Sequence, residues 1–447
     1  MASAATHVAR DHCLAPSRAV DAPLGGARYE RLFPDLPALE CAEGALHALG
    51  AAGGPCSCAA DEEPEGIVAA GWPFFGQFVA HDITADRSPL TDHANLAAVR
   101  NFRSPRADLE CVYGDGPIGA PFLFDRDDPA KLLLGDGGSD VPRNAQGTAL
   151  IGDPRNDVHL FVNRLQVVML RVHNVLVDRL RADGTPEADL LEAARRALIW
   201  HYQWIVLNEF LPGLVGDELA VTTLADGPAL LRFAGGDAYI PLEFADGAYR
   251  YGHSQVRSRY RVDASGDEPS IFPDLIGFRA PERELDFALV FDLPGRPPAQ
   301  RAKRIDGTLP AALIDLPAEI TGEGGDPDYH SLATRDLQRT EATGLPSGEA
   351  IAAALGVAPL SADEVGLGAD WTGGTPLWFY VLRESDVHGD GSRLGPVGGR
   401  IVADTLVAII DSDPGSYRTV DPGWRPTLPS SAPGSFGIAD LIVAADL

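Results

Sequence analysis

Three short segments hold the residues of this 447-residue chain whose types and spacing suit chemistry. In the run Phe74-Phe75-Gly76-Gln77-Phe78-Val79-Ala80-His81-Asp82, Gln77 and His81 lie one helical turn apart and share a face if the segment is helical. Two polar groups on so apolar a turn need something polar to meet. In Gly152-Asp153-Pro154-Arg155, the Arg projects from the rigid start of a helix. In Arg250-Tyr251-Gly252-His253-Ser254, a His follows a Gly in a mixed polar and aromatic stretch. In general such residue types serve proton transfer, stabilisation of negative charge and metal ligation. Taken singly each is weak, because a lone His on an apolar helix is usually structural and an Arg near a helix start is usually a surface ion pair.

The elements that must position these residues can be read from the hydrophobic pattern. Residues 1–65 are loop-rich, with Pro and Gly punctuating short apolar pieces such as Tyr29 to Leu39. The first helix is predicted from about Glu65 to His81, with Pro73 marking a kink or a fresh start. Residues 85–150 carry many turn signals and are expected to hold little regular structure. Asp153-Pro154 reads as an N-cap followed by Pro at the first helical position. Behind it, Phe161, Leu165, Val168, Met169, Val172, Val175, Leu176 and Leu180 recur with the spacing of a long amphipathic helix. Further helices are predicted for Asp189 to Leu211, stopping at Pro212-Gly213, for Leu332 to Arg339, from Ser347 to Leu355, and from Leu377 to Glu384. Strand signals are few and short, and no repeat or linker separates two cores. The expectation is a mainly α fold with long loops and little β structure, one domain over residues 1–447, with residues 1–65 packing on it.

Composition narrows the partners. The formal net charge of -28 makes nucleic acid improbable, because phosphate would be repelled across most of the surface, and it disfavours an anionic membrane surface too. Only Lys131 and Lys303 are lysines, so nearly all positive charge is Arg. The cysteines are odd in number: Cys13, Cys41, Cys56, Cys58 and Cys111. Cys56-Ser57-Cys58 has no second Cys/His pair at zinc-site spacing, so free thiols are expected. Met1 to Leu14 lacks an apolar run of signal-peptide length, and no stretch approaches the ~20 apolar residues of a membrane span. A cytoplasmic protein is the expectation, and the oligomeric state is not legible.

Together and in this order, the three segments resemble the animal-type haem peroxidase family of the peroxidase–cyclooxygenase superfamily, particularly its bacterial branch. The resemblance runs over nearly the whole chain. It includes Leu170-Arg171-Val172-His173-Asn174, Trp200-His201-Tyr202-Gln203-Trp204 with Asn208-Glu209-Phe210-Leu211-Pro212, and Gly344-Leu345-Pro346-Ser347-Gly348. It continues through Arg393-Leu394-Gly395-Pro396-Val397-Gly398-Gly399-Arg400 to Asp421-Pro422-Gly423-Trp424. The implied activity is reduction of hydrogen peroxide through a ferryl intermediate, with oxidation of a small organic or halide substrate. The resemblance makes His81 the distal general base and acid, Arg155 the stabiliser of charge on the breaking O–O bond, and Gln77 the holder of a distal water. It makes His253 the ligand of the haem iron, with Arg250 and Arg339 pairing the propionates. The family's proximal His donates its other N–H to an Asn, and the matching residue here is Asp336. A carboxylate there would give the imidazole more anionic character; the alternative is an Asp turned into an arginine pair with Arg335 or Arg339. A calcium site is also implied, from Asp82, Ser104, the Arg106 carbonyl, Asp108 and Glu110, although Glu110 is unusual for that loop.

Two departures from the family carry meaning. Mammalian members bind haem through two esters, and the matching positions are Ala80 and Val158, so haem b is expected to be non-covalent. His159 follows, either lining the pocket near the haem edge or hydrogen-bonded to solvent on a helix face. Rival functions are a fatty-acid dioxygenase, a pathway-specific hydroxylase or halogenase, and a non-catalytic haem-binding or adhesion module. The dioxygenase needs a Tyr three residues before the proximal His, where Arg250 stands. A non-catalytic descendant would be expected to lose His81 or Arg155, and both are present.

Overall fold

A computed structural model describes residues 29–42, 44–58, 63–86, 101–233, 238–321 and 330–446. Cys13 and the stretch Met1 to Leu14 lie outside the described residues, as does all of the loop-rich segment before Tyr29. Helix predominates, as the patterning implies. Among the described residues, ladders of strand are confined to two pairs: β1 (Tyr29–Glu30) runs parallel to β3 (Ile240–Pro241), and β2 (Glu65–Ala69) antiparallel to β4 (Arg301–Lys303). One apolar cluster extends from Tyr29 to Ala445 and joins all the main helices.

The expected helix from Glu65 to His81 is a strand and a helix. Residues 65–69 form β2, and α1 begins only at Trp72 and runs to Ile83. Gly71 makes the bend, where a Cβ would meet the Phe291 ring at 2.3 Å. Pro73 sits in the first helical turn, where its missing N–H costs nothing, so it marks a start and not a kink.

The helix expected to open at Pro154 is likewise divided. Pro154–Asp157 is a 3-10 turn, and α2 (Leu160–Ala182) starts after an extended residue, His159. The break is held from outside, because residues 157–160 pair with 275–278 through Leu160 N–H to Leu275 O (3.0 Å), Gly277 N–H to Val158 O (2.9 Å) and Phe278 N–H to Asp157 O (2.8 Å). Gly277 permits this approach, since a Cβ there would overlap the Asp157 carbonyl. At 23 residues, α2 is long and apolar enough to cross a membrane by length and composition, contrary to the sequence expectation. In the fold, 83% of that apolar window is buried, much of it against α3 (Leu190–Ile205). The expected 189–211 helix changes to a π turn over Val206–Phe210 and resumes as α-helix over Leu211–Val215, so Pro212 opens a segment and does not end one.

Four later helices frame the site. They are the single turn α4 (Gly252–Gln255), α5 (Leu332–Ala342) capped by Ser331, α6 (Leu377–Gly389), and the almost wholly buried α7 (Pro396–Ser412). The expected helix behind Ser347 spans Gly348–Ala354 with Ser347 as its cap. α1 packs against both α2 and α4, and this brings the His81 and His253 segments together.

Candidate active site

α1 buries Phe74, Phe75, Phe78 and Val79, yet Gln77 and Ala80 on the same helix stay half-open. His81 is almost fully buried, and its Nδ1 lies 2.7 Å from Asn156 Oδ1. Asn156 Nδ2 donates to Gln166 Oε1 at 2.8 Å, so Oδ1 is the atom that accepts from His81. The imidazole therefore carries its proton on Nδ1 and keeps a lone pair on Nε2. Burial first, then the Arg155 charge, pushes His81 down to about 3, which keeps it neutral. A neutral imidazole with a free Nε2 is a competent base.

Arg155 lies in the 3-10 turn and is clamped on one edge. Its Nε donates to Asp153 Oδ1 (3.0 Å), and its Nη2 to Asp153 Oδ2 (2.7 Å), His81 O (3.0 Å) and Thr84 O (2.6 Å). Among the described residues Nη1 has no partner, so it is the donor left for a ligand. Burial alone would raise Asp153, but Arg155 and Arg103 outweigh it and hold the carboxyl well below the usual range. Asp153 thus caps the turn and fixes the guanidinium that follows it.

On α4, His253 Nδ1 donates to Asp336 Oδ2 at 2.6 Å, leaving its Nε2 lone pair free to ligate. Asp336 is fully buried, and its other oxygen accepts from Arg250 Nη1 at 3.1 Å. Asp336 therefore does not turn away from the histidine, and the arginine that its second oxygen takes is Arg250 rather than Arg335 or Arg339. Arg250 also approaches Asp246 (3.4 Å), and Arg339 donates from Nη1 to Asp246 (3.1 Å) and Asp86 (3.5 Å). Both arginines, expected to pair propionates, thus hold protein carboxylates while retaining further donors.

Room for a flat cofactor is suggested by exposure. Gln77, Ala80, Arg155, Val158, Arg250, Gly252 and His253 are half-open among buried neighbours, and a Cβ on Gly252 would meet nothing within 4 Å. Ala80 and Val158 are themselves half-open and carry no carboxylate. His159 is neither on a solvated helix face nor free: it is buried, and its Nε2 lies 2.9 Å from Gln77 Oε1.

The calcium residues are only partly assembled. Asp82 is fully buried and accepts from the N–H groups of Leu109 (3.0 Å) and Cys111 (3.3 Å). Burial, then Asp108, raises Asp82 to about 8. Ser104 Oγ donates to Asp108 at 3.3 Å. Glu110 turns away, accepting from Arg103 Nη1 (3.1 Å) and Ser104 N–H (3.0 Å). The Arg106 side chain points toward Asp413 (3.9 Å), so only its carbonyl is available in the expected way. Among the described residues no group of three or more His, Cys, Asp or Glu side chains converges as a metal site. Cys41, Cys56, Cys58 and Cys111 are free thiols.

Sequence reasoning missed Asn156, Asp246 and the clamp role of Asp153. Asn156 adjoins Arg155, and a polar residue there with a Gln one helical stretch later was the available signal.

A model of the family described as animal haem peroxidase matches residues 99–346 of this chain. Similar curated proteins include heme peroxidase 2 of Caenorhabditis elegans, 28% identical over 167 residues that cover 34% of this chain and 23% of that one. Chorion peroxidase of Drosophila melanogaster is 26% identical over 205 residues, covering 44% and 25%. The chain thus spans about a quarter of the length of these relatives. Among solved structures, peroxidase A of Dictyostelium discoideum superposes with a TM-score of 0.63 at 16% identity, over 88% of each chain. A fatty acid alpha-dioxygenase of Arabidopsis thaliana reaches 0.58 at 14% identity, over 85% of this chain and 71% of that one. These likenesses show a shared fold.

Proposed function

This chain belongs to the animal haem peroxidase family, and we propose that it is a peroxidase that reduces hydrogen peroxide and oxidises a small organic or halide substrate. The observation that carries the reading is a pair of histidines with matched tautomers on two helices that pack together. Each donates its Nδ1 proton to a buried partner, Asn156 for His81 and Asp336 for His253, and each thereby frees Nε2.

Haem b, held by His253 Nε2 beneath and by Arg250 and Arg339 at its edge, would supply the electrons that cleave the peroxide O–O bond. Binding would be non-covalent, since Ala80 and Val158 offer no carboxylate. His81 Nε2 takes a proton from the nearer peroxide oxygen and returns it to the departing one. Arg155 Nη1 meets the negative charge that gathers on that oxygen, and the Asp153 clamp spares the site any reorganisation. Gln77 helps to place the peroxide. Asp336 fixes the His253 ring and raises its basicity.

Calcium at Asp82, Ser104 and Asp108 is also proposed, because burial and the neighbouring Asp108 disfavour the charge of Asp82, which a hard cation would relieve. The likeness to dioxygenases is one of fold, and the local residues favour the peroxidase reading. Arg250 stands at the tyrosine position, Tyr249 stacks on Phe244 at 4.4 Å, and Tyr251 packs edge-on against Tyr249 at 6.0 Å.

The test is turnover of purified, haem-loaded protein with hydrogen peroxide against phenols, halides and a metabolite panel. Peroxide-dependent oxidation that His81→Ala abolishes supports the reading. Oxygen consumption with fatty acids and no peroxide requirement contradicts it.

A further inference from the structure

We propose that His159 is a positioning residue of the distal pocket, one that holds the Gln77 carbonyl so that the side chain turns its N–H donors to a bound molecule. The inference rests on the haem-peroxidase reading and extends it to a residue for which the catalytic scheme has no role.

The argument begins at the start of α2. His159 is the N-cap of that helix, and its Nδ1 accepts from the Val162 N–H at 3.4 Å. An imidazole that accepts at Nδ1 and stays neutral carries its proton on Nε2. That Nε2–H lies 2.9 Å from Gln77 Oε1. The ring cannot swing away, because it is wedged edge-on against Phe74 (5.0 Å), Phe161 (5.9 Å) and Phe272 (6.2 Å). A backbone N–H thus sets the tautomer of His159, and the tautomer sets the orientation of an amide two elements away. With Oε1 committed, the Nε2 hydrogens of Gln77 are the groups left facing the half-open side of α1.

The donor and acceptor pattern of the pocket follows. His81 Nε2 is its acceptor, while Gln77 Nε2 and Arg155 Nη1 are donors. Such a lining suits a small weak acid that gives one proton to His81 and leaves an anion for the two donors. A hydroperoxide fits this description, and so does hydrogen fluoride. A neutral amine, bringing donors where acceptors are required, does not.

Fluoride binding to the ferric, haem-loaded protein, followed in the Soret region, reads this pattern without turnover. His159→Asn keeps an N-cap oxygen for Val162 but cannot reach Gln77, whereas His159→Phe keeps the aromatic packing and loses both bonds. Each should weaken fluoride about tenfold, the effect of one charge-assisted hydrogen bond, although the two should differ in Tm. Gln77→Ala should do at least as much, and adding His159→Asn to it should change nothing further. Unchanged fluoride affinity in both His159 variants, or effects that add to that of Gln77→Ala, would overturn the proposal. Absence of a Soret band in the wild type would sink the haem reading instead. In that event the Gln77 side-chain amide resonance of 15N-glutamine-labelled protein still decides whether His159→Asn releases it: a shifted signal supports the contact and an unmoved one refutes it.

Discussion

Replacing Asp336 with Asn separates the charge beneath His253 from the hydrogen bond that carries it. The carboxylate is fully buried, 2.6 Å from His253 Nδ1 and 3.1 Å from Arg250 Nη1. Burial alone would raise its pKa, but His253, then Arg250 and Arg339, outweigh burial and hold it below the usual carboxylate range. With His253 a neutral donor, the Arg250 guanidinium on the other carboxylate oxygen is what keeps the group ionised, and Asn in its place keeps an acceptor for His253 while removing the charge. Hydrogen bonds to charged groups contribute about 1.5–3 kcal/mol against about 0.5–1.5 for neutral ones, a difference of about 1–2 kcal/mol. Arg250 and Arg339 offset part of that charge, which places the effect near the lower bound. At about 59 mV and about 1.4 kcal/mol per tenfold change for a one-electron couple, the Fe(III)/Fe(II) potential should rise by about 40 mV. The Asn Nδ2 would also face Arg250 Nη1, donor against donor, so stability should fall by about 1–3 kcal/mol. Arg250→Gln should act in the opposite sense on the potential, because it unshields the carboxylate. Spectroelectrochemical titration of wild type and both variants checks the pair. An unmoved or lowered potential in Asp336→Asn would refute the reasoning and show that Arg250 already neutralises the carboxylate completely.

Other expectations follow from the same geometry. Acidified organic solvent should extract unmodified haem b, because Ala80 and Val158 cannot form esters; added mass on the polypeptide would contradict this. His81→Ala should slow the reaction with peroxide at least ~100-fold in stopped-flow, as loss of a general acid–base does, and Arg155→Ala should cost a comparable factor. Burial lowers His201 from 6.5 to about 4, so the folded state binds fewer protons there than the unfolded chain does. Its contribution is complete above pH 6.5 and is lost as pH falls through about 4, amounting to about 3 kcal/mol. Protonation also blocks Nε2, which accepts from the N–H groups of Thr427 and Leu428, and the ring sits 5.0 Å from Trp424. Tryptophan fluorescence should therefore report release of the 424–428 segment in that pH window, and His201→Gln should flatten the titration. An identical acid transition in the variant would remove His201 as its cause.

The chemistry-bearing residues were more legible than the elements that carry them. His81, Arg155 and His253 stand out because each is a polar group in a segment whose surroundings give it no local reason to be there. The boundaries of α1 and α2 were hidden because distant partners set them: β4 takes residues 65–69 into a strand, and residues 275–278 hold His159 extended. Neither contact leaves a periodic trace near the site. α7 went unmarked although Arg400, Asp404 and Asp411 fall on one face of an otherwise apolar run, the signature of an amphipathic helix. The clamp on Arg155 and the Asn156–Gln166 chain depend on side-chain directions that spacing alone does not give. Glu110 shows the converse, since its position suits a cation loop but a neighbouring arginine, Arg103, takes it.

The central claim is that His253 Nε2 holds haem iron, and the most direct measurement is the absorption spectrum of His253→Ala beside wild type after identical loading with haem. The account predicts a sharp Soret band in the wild type that is lost or strongly shifted in the variant, and that exogenous imidazole restores. A Soret band of unchanged position and intensity in His253→Ala would place the iron on another residue and contradict the assignment of both faces of the site.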